Sequence, residues 1–273
     1  MLVRLGVLAL IALAAVPSAG RDASPPPLTA VTLNLWHDQH DWPARLPVIL
    51  SALREAEPDV ILLQEVLQHD GLPNQARTLA DSLGFHMEFF TVDPADGPKR
   101  YGNAVLTRRP VTARFERKLA PLDDWRVAGL VRVDVDGRPL DIAVTHLHHT
   151  PEGWAIRAEQ TADLLDFLAE VRGDGPLLLG GDFNAQADAP ELAPLFGTLT
   201  DAFGTLHPGA ENVTTLNTAY GHQPERIDHL LTSAELTPVA SGLLLDRPVG
   251  GVWGSDHFGV WARWRWNPTA AAP

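Results

Sequence analysis

Cysteine is absent from the 273 residues. That absence excludes a disulfide framework, a thiolate zinc site and a lipid-acceptor cysteine behind a leader. Lysine is nearly as scarce: Lys99 and Lys118 are the only two among 21 basic residues, against 34 acidic ones, giving a formal net charge of −13. Such a balance excludes a surface that binds polyanions all over, because phosphate-backbone affinity comes from clustered Lys and Arg, but it leaves room for a local patch. Long hydrophobic runs are lacking too. The apolar stretch Leu5 to Val16 covers twelve residues, where a bilayer span takes about 20. There is no Gly-x-x-x-x-Gly-Lys phosphate loop, no internal repeat and no heptad pattern.

What is present starts with a leader. Arg4, the apolar run and Pro17-Ser18-Ala19-Gly20 have the order of a signal peptide cleaved after Gly20. The expectation is a secreted or periplasmic protein, with no stable membrane anchor after cleavage and a monomeric state. Losing Arg4 would take the charge from −13 to −14. Residues 21–27, with Pro25-Pro26-Pro27, read as a linker, 28–266 as one domain and 267–273 as a frayed tail. With 45% hydrophobic residues, the domain can hold itself together by core burial alone.

Apolar runs predict strands near Leu28 to Leu35, Val60 to Gln64, Asn103 to Thr107, Val127 to Val135, Leu140 to His146, Leu177 to Leu179, Ile227 to Leu231 and Phe258 to Trp264. Asp136-Gly137 is a hairpin signal between two of them. Helices are expected at about 42–56, 72–83 and 152–171, the last with Trp154, Ala158, Thr161, Leu165 and Leu168 along one face. Mixed strands with few long helices suit an α/β (α+β) fold of two packed sheets flanked by helices.

Polar residues fall at the ends of these strands. Asn34, Glu65, His146, Asp182 and Asn184 follow apolar runs, whereas Asp228 starts one and Asp256-His257 precede another. If the last two strands run antiparallel to the others, these ends share one rim. Each piece also has a plain structural reading: Glu65 as a solvated strand end, Gly180-Gly181-Asp182-Phe183-Asn184 as an Asx turn, Ser255-Asp256-His257 as a cap. His146-Leu147-His148-His149 suggests zinc, but a His-x-His-x-Asp-His site needs Asp at 150, where Thr150 stands. His37, His40, His69, His86, His207 and His222 read as surface or loop residues.

The ordered series Leu33-Asn34-Leu35-Trp36, Leu63-Gln64-Glu65-Val66, Tyr101-Gly102-Asn103, Thr145-His146-Leu147, Gly181-Asp182-Phe183-Asn184, Arg226-Ile227-Asp228-His229 and Ser255-Asp256-His257-Phe258 resembles the endonuclease/exonuclease/phosphatase family over about residues 28–266. That family includes DNase I-like nucleases, neutral sphingomyelinases and inositol polyphosphate 5-phosphatases. The resemblance implies a four-layer α/β/β/α sandwich of two mixed β-sheets and a metal-dependent hydrolase of phosphoric esters. Asn34, Glu65 and Asp256 then form a hard oxygen site for Mg²⁺, with Mn²⁺ as a substitute. Asp182 orients and deprotonates water, Asn184 donates to it or to the phosphate, His146 contacts phosphoryl oxygens, and Asp228 orients His257. Tyr101, Asn103 and Arg100 are assigned to substrate. In DNase I-like nucleases a glutamate orients the His146 equivalent. Here the neighbourhood offers Asn103, expected to supply a neutral hydrogen bond instead.

Residues 99–118 carry Lys99, Arg100, Arg108, Arg109, Arg114, Arg117 and Lys118 against Glu116 alone. The segment has two readings, a phosphate-facing surface or a solvated hairpin face. Trp36, Trp42, Trp125 and Trp253 lie in or near the motif loops, to stack on a base, touch lipid or fill the core. The leading functional expectation is an exported Mg²⁺-dependent phosphodiesterase acting on nucleic acid. A phospholipid or small phosphorylated metabolite is the alternative substrate, and an inactive binding module the alternative class.

Overall fold

The computed structural model describes residues 26–210 and 212–268. The leader at 1–20, most of the linker and the end of the tail lie outside the described residues. In chain order the elements are β1 (Leu28–Asn34), α1 (Trp42–Ala56), β2 (Val60–His69), α2 (Gln75–Leu83), β3 (His86–Phe90), β4 (Lys99–Thr107), β5 (Val111–Lys118), β6 (Val127–Val135), β7 (Arg138–His146) and α3 (Trp154–Val171). They continue with β8 (Leu177–Asp182), α4 (Ala193–Phe196), β9 (Thr200–Asp201), α5 (Ala202–Leu206), β10 (Asp228–Thr232), β11 (Leu236–Leu244) and β12 (Gly259–Trp266).

Two six-stranded sheets result, in the orders β11-β12-β1-β2-β4-β3 and β5-β6-β7-β8-β10-β9. Strands buried on both faces need near-continuous apolar sequence, and β1, β2 and β8 have it. One set of their side chains meets between the sheets: Leu62, Val105, Val131, Ile142, Leu178, Leu230 and Trp264. The alternate set of the first sheet, with Leu33, Ile61 and Leu63, packs on Ile49 and Leu53 of α1 and Leu79 of α2. On the other side, Leu130, Ala143 and Leu179 pack on Leu164, Phe167 and Leu168 of α3. The layers are therefore α/β/β/α, as expected. Among the described residues no helix is long and apolar enough to cross a membrane.

Strand direction sets the site. β1 is parallel to β2, and β7 to β8, while β12 and β10 run antiparallel to β1 and β8. The ends of the first four and the starts of the last two consequently meet at one rim. The Asp136-Gly137 hairpin forms, with φ of 54° and 86° at the two turn residues, the left-handed pair that a tight two-residue turn requires.

Some expectations need correction. β3, β5, β9 and β11 had no strong signal: β5 alternates charged with apolar residues at a sheet edge, and β11 contains Pro238 beside a register shift, tolerated because an edge strand has an unpaired side. The inward face of α3 is Arg157, Gln160, Thr161, Leu164, Phe167 and Leu168. Trp154 is exposed, and Ala158 and Leu165 are half-buried. Arg157 takes the inner face because its guanidinium meets Glu191 at 2.9 Å and the Thr150 carbonyl at 2.7 Å, so burial leaves it paired.

Candidate active site

The rim opens into a groove of about 890 Å³ whose lining includes Glu65, His146, Asp182, Asn184, Asp256 and His257. Six chain segments supply the site. Its centre is Asp182, 1% exposed at the end of β8. Asp182 Oδ2 accepts from Asn34 Nδ2 at 3.0 Å and faces Nε2 of His146 at 3.5 Å and of His257 at 3.8 Å, while Oδ1 accepts from the Asn184 backbone N–H at 2.9 Å. The two glycines before it serve approach: a Cβ on Gly181 would lie 2.2 Å from the Thr145 carbonyl oxygen, and one on Gly180 2.4 Å from Leu62 of the facing sheet.

His257 Nδ1–H donates to Asp228 Oδ2 at 2.9 Å, the orientation expected of Asp228. Burial alone would favour a neutral imidazole, but the charges of Asp228 and Asp182 outweigh it and raise His257 to about 10. Burial first, then repulsion from Asp228, raises Asp182 to about 7. His146 goes the other way: burial, then the positive charges of Arg126, His257 and His149, hold it well below the usual imidazole value. The site thus combines a cationic imidazole, a neutral one and a carboxylate of raised basicity between them.

Glu65 reaches the groove through a local defect. The β2–β4 register shifts between Leu63 and Val66, and Glu65 takes φ 56°, so a bulge turns its carboxylate out of the sheet. Its Oε2 lies 3.9 Å from His37 Nε2. The Asn34 side-chain oxygen holds the Trp36 N–H at 2.9 Å, and Asp256 Oδ2 accepts from His222 Nε2 at 3.2 Å. Ser255 binds the pieces together, donating from Oγ to the Asn34 carbonyl at 2.7 Å and accepting the His257 N–H at 3.2 Å. Buried Arg45 adds a clamp, donating to the Leu35, His37 and Gly254 carbonyls at 2.8, 2.7 and 2.9 Å.

Glu65, Asn34 and Asp256 offer oxygen atoms alone, each with a lone pair to spare, which fits a hard divalent cation. A second set, Asp182, Asp228 and His257, brings one donor atom each within 4.8 Å. Because Asp228 Oδ2 is already bonded to His257, that trio fits proton positioning better than a metal cage.

Other assigned residues are placed differently. Asn103 donates to the Val127 carbonyl at 2.9 Å, and His146 Nδ1 has no hydrogen-bond partner. The expected Asn103–His146 bond is therefore not made, because the amide is spent on β6. Tyr101 lies beside Glu65, and burial, then the Glu65 charge, raise its phenol above the usual range. Arg100 points to the opposite face of β4, its guanidinium 5.2 Å from the Phe89 ring centroid, as strand alternation dictates. Asn184 donates from Nδ2 to the Leu147 carbonyl at 3.0 Å, which leaves one amide hydrogen for a ligand.

The basic segment resolves toward its hairpin reading. Arg109 pairs with Asp136 at 2.9 Å, Arg114 with Glu88 at 3.1 Å and Glu116 at 2.9 Å, and Arg117 with Asp163 at 3.3 Å and with Glu170. Thr107 pairs with Val60 at the start of β2, so Arg108 and Arg109 lie at the end of the sheet away from Glu65. Among the tryptophans, Trp42 is buried and Trp125 is 64% exposed. Sequence reasoning gave Arg45 and Arg126 no role, read His222 as a surface or loop residue, weighed His149 only within a zinc cluster, and took Ser255 only as part of the Ser255-Asp256-His257 motif.

The sequence profile described as the Endonuclease/Exonuclease/phosphatase family matches residues 31–257. The chain belongs to that family. Its members are metal-dependent enzymes that hydrolyse phosphoric esters. The chain is 31% identical to Nocturnin of Drosophila melanogaster over 173 residues, 57% of this chain and 26% of that one. It is 34% identical to Protein angel homolog 2 of Mus musculus over 166 residues, 55% and 30% of the two. The chain thus spans under a third of the length of these curated relatives. The human Nocturnin catalytic domain with bound sulfate anion shares the fold, with TM-score 0.73 and 23% identity over 89% of this chain and 96% of that one. So does D. rerio TDP2 complexed with single strand DNA product, with TM-score 0.73 and 19% identity over 88% and 99%.

Proposed function

We propose that this chain hydrolyses a phosphodiester in nucleic acid, using Mg²⁺ held by Glu65, Asn34 and Asp256, and that it does so after export and loss of its leader. The observation that carries the reading is the convergence of Asn34, His146 and His257 on one oxygen of Asp182 at the groove floor. Asp182, with its basicity raised, takes the proton of the attacking water. His257, kept cationic by Asp228, faces the negative charge that develops on the phosphoryl oxygens. His146 contributes a neutral N–H from Nε2, and Asn184 its free amide hydrogen. Mg²⁺, when held there, would supply positive charge to polarise the phosphate and to offset charge on the departing oxygen. The DNA product described in the TDP2 neighbour supports nucleic acid as the substrate class. The pairing of Arg109, Arg114 and Arg117 with carboxylates favours the second reading, a phospholipid or small phosphorylated metabolite.

The test is to assay the mature chain against duplex DNA, single strands, RNA, sphingomyelin and inositol phosphates, with Asp182→Ala as control. Turnover of a nucleic acid that Asp182→Ala abolishes is the expected result. Turnover confined to sphingomyelin or inositol phosphates would replace the substrate assignment, and turnover unaffected by Asp182→Ala would remove the mechanism.

A further inference from the structure

Two large hydrophobic side chains that the fold leaves in solvent flank, in the chain, residues that line the groove or hold them. Trp125 is 64% exposed and Trp154 63%. Trp125 sits on the loop before β6 and Trp154 opens α3 just after the loop that follows β7, and the two loops are braced together: His148 Nδ1–H donates to Asp124 at 2.7 Å, Gln160 of α3 donates to the same carboxylate at 2.6 Å, and Arg126 donates to His149 Nδ1 at 3.2 Å. His149 and Pro151, within the second loop, line the groove. A Cβ on Gly153 would lie 2.1 Å from the His148 ring, so the chain presses against the brace just before Trp154 emerges.

Trp125 itself has φ 61°. A bulky side chain in the left-handed region is strained, and such strain collects at ligand clamps. The anchored neighbours Asp124 and Arg126 hold this residue where its indole faces water. The Lys118 ammonium lies 4.0 Å from the indole centroid. Lys118 pairs with Val127 at the start of β6, next to the end of β7 where His146 stands.

We propose that Trp125 and Trp154 form a stacking rim for unpaired nucleobases, with Lys118 and Arg126 meeting the phosphates of the strand that enters the groove. This rests on the nucleic-acid reading above and narrows it to single strands or frayed ends, since paired bases hide their faces. Aromatic faces beside cations are the combination that single-stranded nucleic acid uses, and stacking there is tolerant of sequence. Asp123, two residues before Trp125, and Glu152, two residues before Trp154, are exposed. They interrupt the continuous apolar surface that insertion into a bilayer would need.

The experiment measures affinity for labelled octathymidine by fluorescence anisotropy, using the mature chain with Asp182→Asn to stop turnover. Trp125→Ala and Trp154→Ala should each weaken binding by about 5- to 150-fold, and Trp125→Phe should retain most of it. An octamer of abasic units with the same phosphates should not distinguish the variants. Unchanged octathymidine affinity overturns the rim, and so does an equal loss on the abasic octamer. Binding to phosphatidylcholine vesicles that Trp125→Ala abolishes, with octathymidine unaffected, would assign the two indoles to a lipid surface. Hydrolysis of octathymidine with constants untouched by either variant sinks the rim alone. No turnover of any nucleic acid sinks the substrate reading and the rim with it.

Discussion

His229, next to Asp228 in β10, gives stability a pH dependence that can be worked out. The imidazole is fully buried, packed edge-on against Phe183 and Phe196 with ring centroids at 5.5 and 5.1 Å. Arg226 donates to Nδ1 at 2.8 Å, and Nε2–H donates to the Ala185 carbonyl at 3.0 Å. Both ring nitrogens are satisfied only in the neutral form, since a protonated Nδ1 would face a guanidinium. Burial, then the Arg226 charge, lower His229 from 6.5 to about 4. A histidine whose folded value is depressed adds stability that is present above its unfolded value and lost as pH falls. The interval is worth about 3.4 kcal/mol in full, at about 1.36 kcal/mol per pKa unit. At pH 5 about 2 kcal/mol of it should be gone.

His229→Gln keeps one acceptor and one donor but does not titrate between pH 8 and 5. Urea unfolding of both proteins at pH 8, 6 and 5 isolates the effect, because every other titrating group is common to the two. The wild type should lose about 2 kcal/mol relative to His229→Gln between pH 8 and pH 5, equivalent to about 4–8 °C in Tm for a chain of this size. A gap between the two proteins that stays constant with pH would refute the reasoning, and would mean that His229 is protonated or solvated in the fold. The bond to Ala185 lies just beyond Asp182 and Asn184, so acid that breaks it should also loosen the loop that carries them.

Three further outcomes are expected. Asp228→Asn should lower turnover by about 10²- to 10⁴-fold with the fold intact, and Asp228→Asn/His257→Ala should be little worse than His257→Ala, because the pair acts as one unit; losses that multiply in the kinetics of the double variant would separate them. Activity should vanish with EDTA and return with Mg²⁺ or Mn²⁺, since Glu65, Asn34 and Asp256 present hard oxygens, and full activity after exhaustive chelation would rule that assignment out. Arg108→Ser/Arg109→Ser/Arg114→Ser should leave the salt dependence of DNA binding unchanged, because these cations lie in carboxylate pairs or at the far end of the sheet. A log-log slope flatter by about 0.9 per lost contact would restore the phosphate-facing reading.

What the sequence by itself determined was the class of fold and the set of polar residues that the fold brings to one rim. Asn34, Glu65, His146, Asp182, Asp228 and His257 stood out because each interrupts or bounds an apolar strand, where an unpaired polar group would be costly. Period-two and period-3.6 patterns set out the long buried strands and α1 without reference to partners, and Asp136-Gly137 fixed a turn through local backbone preference alone. Tertiary structure decided the rest, because those outcomes depend on what each side chain meets across the fold. The α3 stripe with Trp154 inward was equally compatible with periodicity, until the partners of Arg157 and Gln160 from other segments chose a rotated face. Asn103 was spent on Val127 by sheet packing, so His146 lost its expected partner. The charge of residues 99–118 was plain in sequence, but the carboxylates that neutralise it, Glu88, Asp136, Asp163 and Glu170, lie up to 53 positions away. The bulge that turns Glu65 into the groove, and the clamps of Arg45 and Ser255, follow from strand register and long-range hydrogen bonds, which no local pattern encodes.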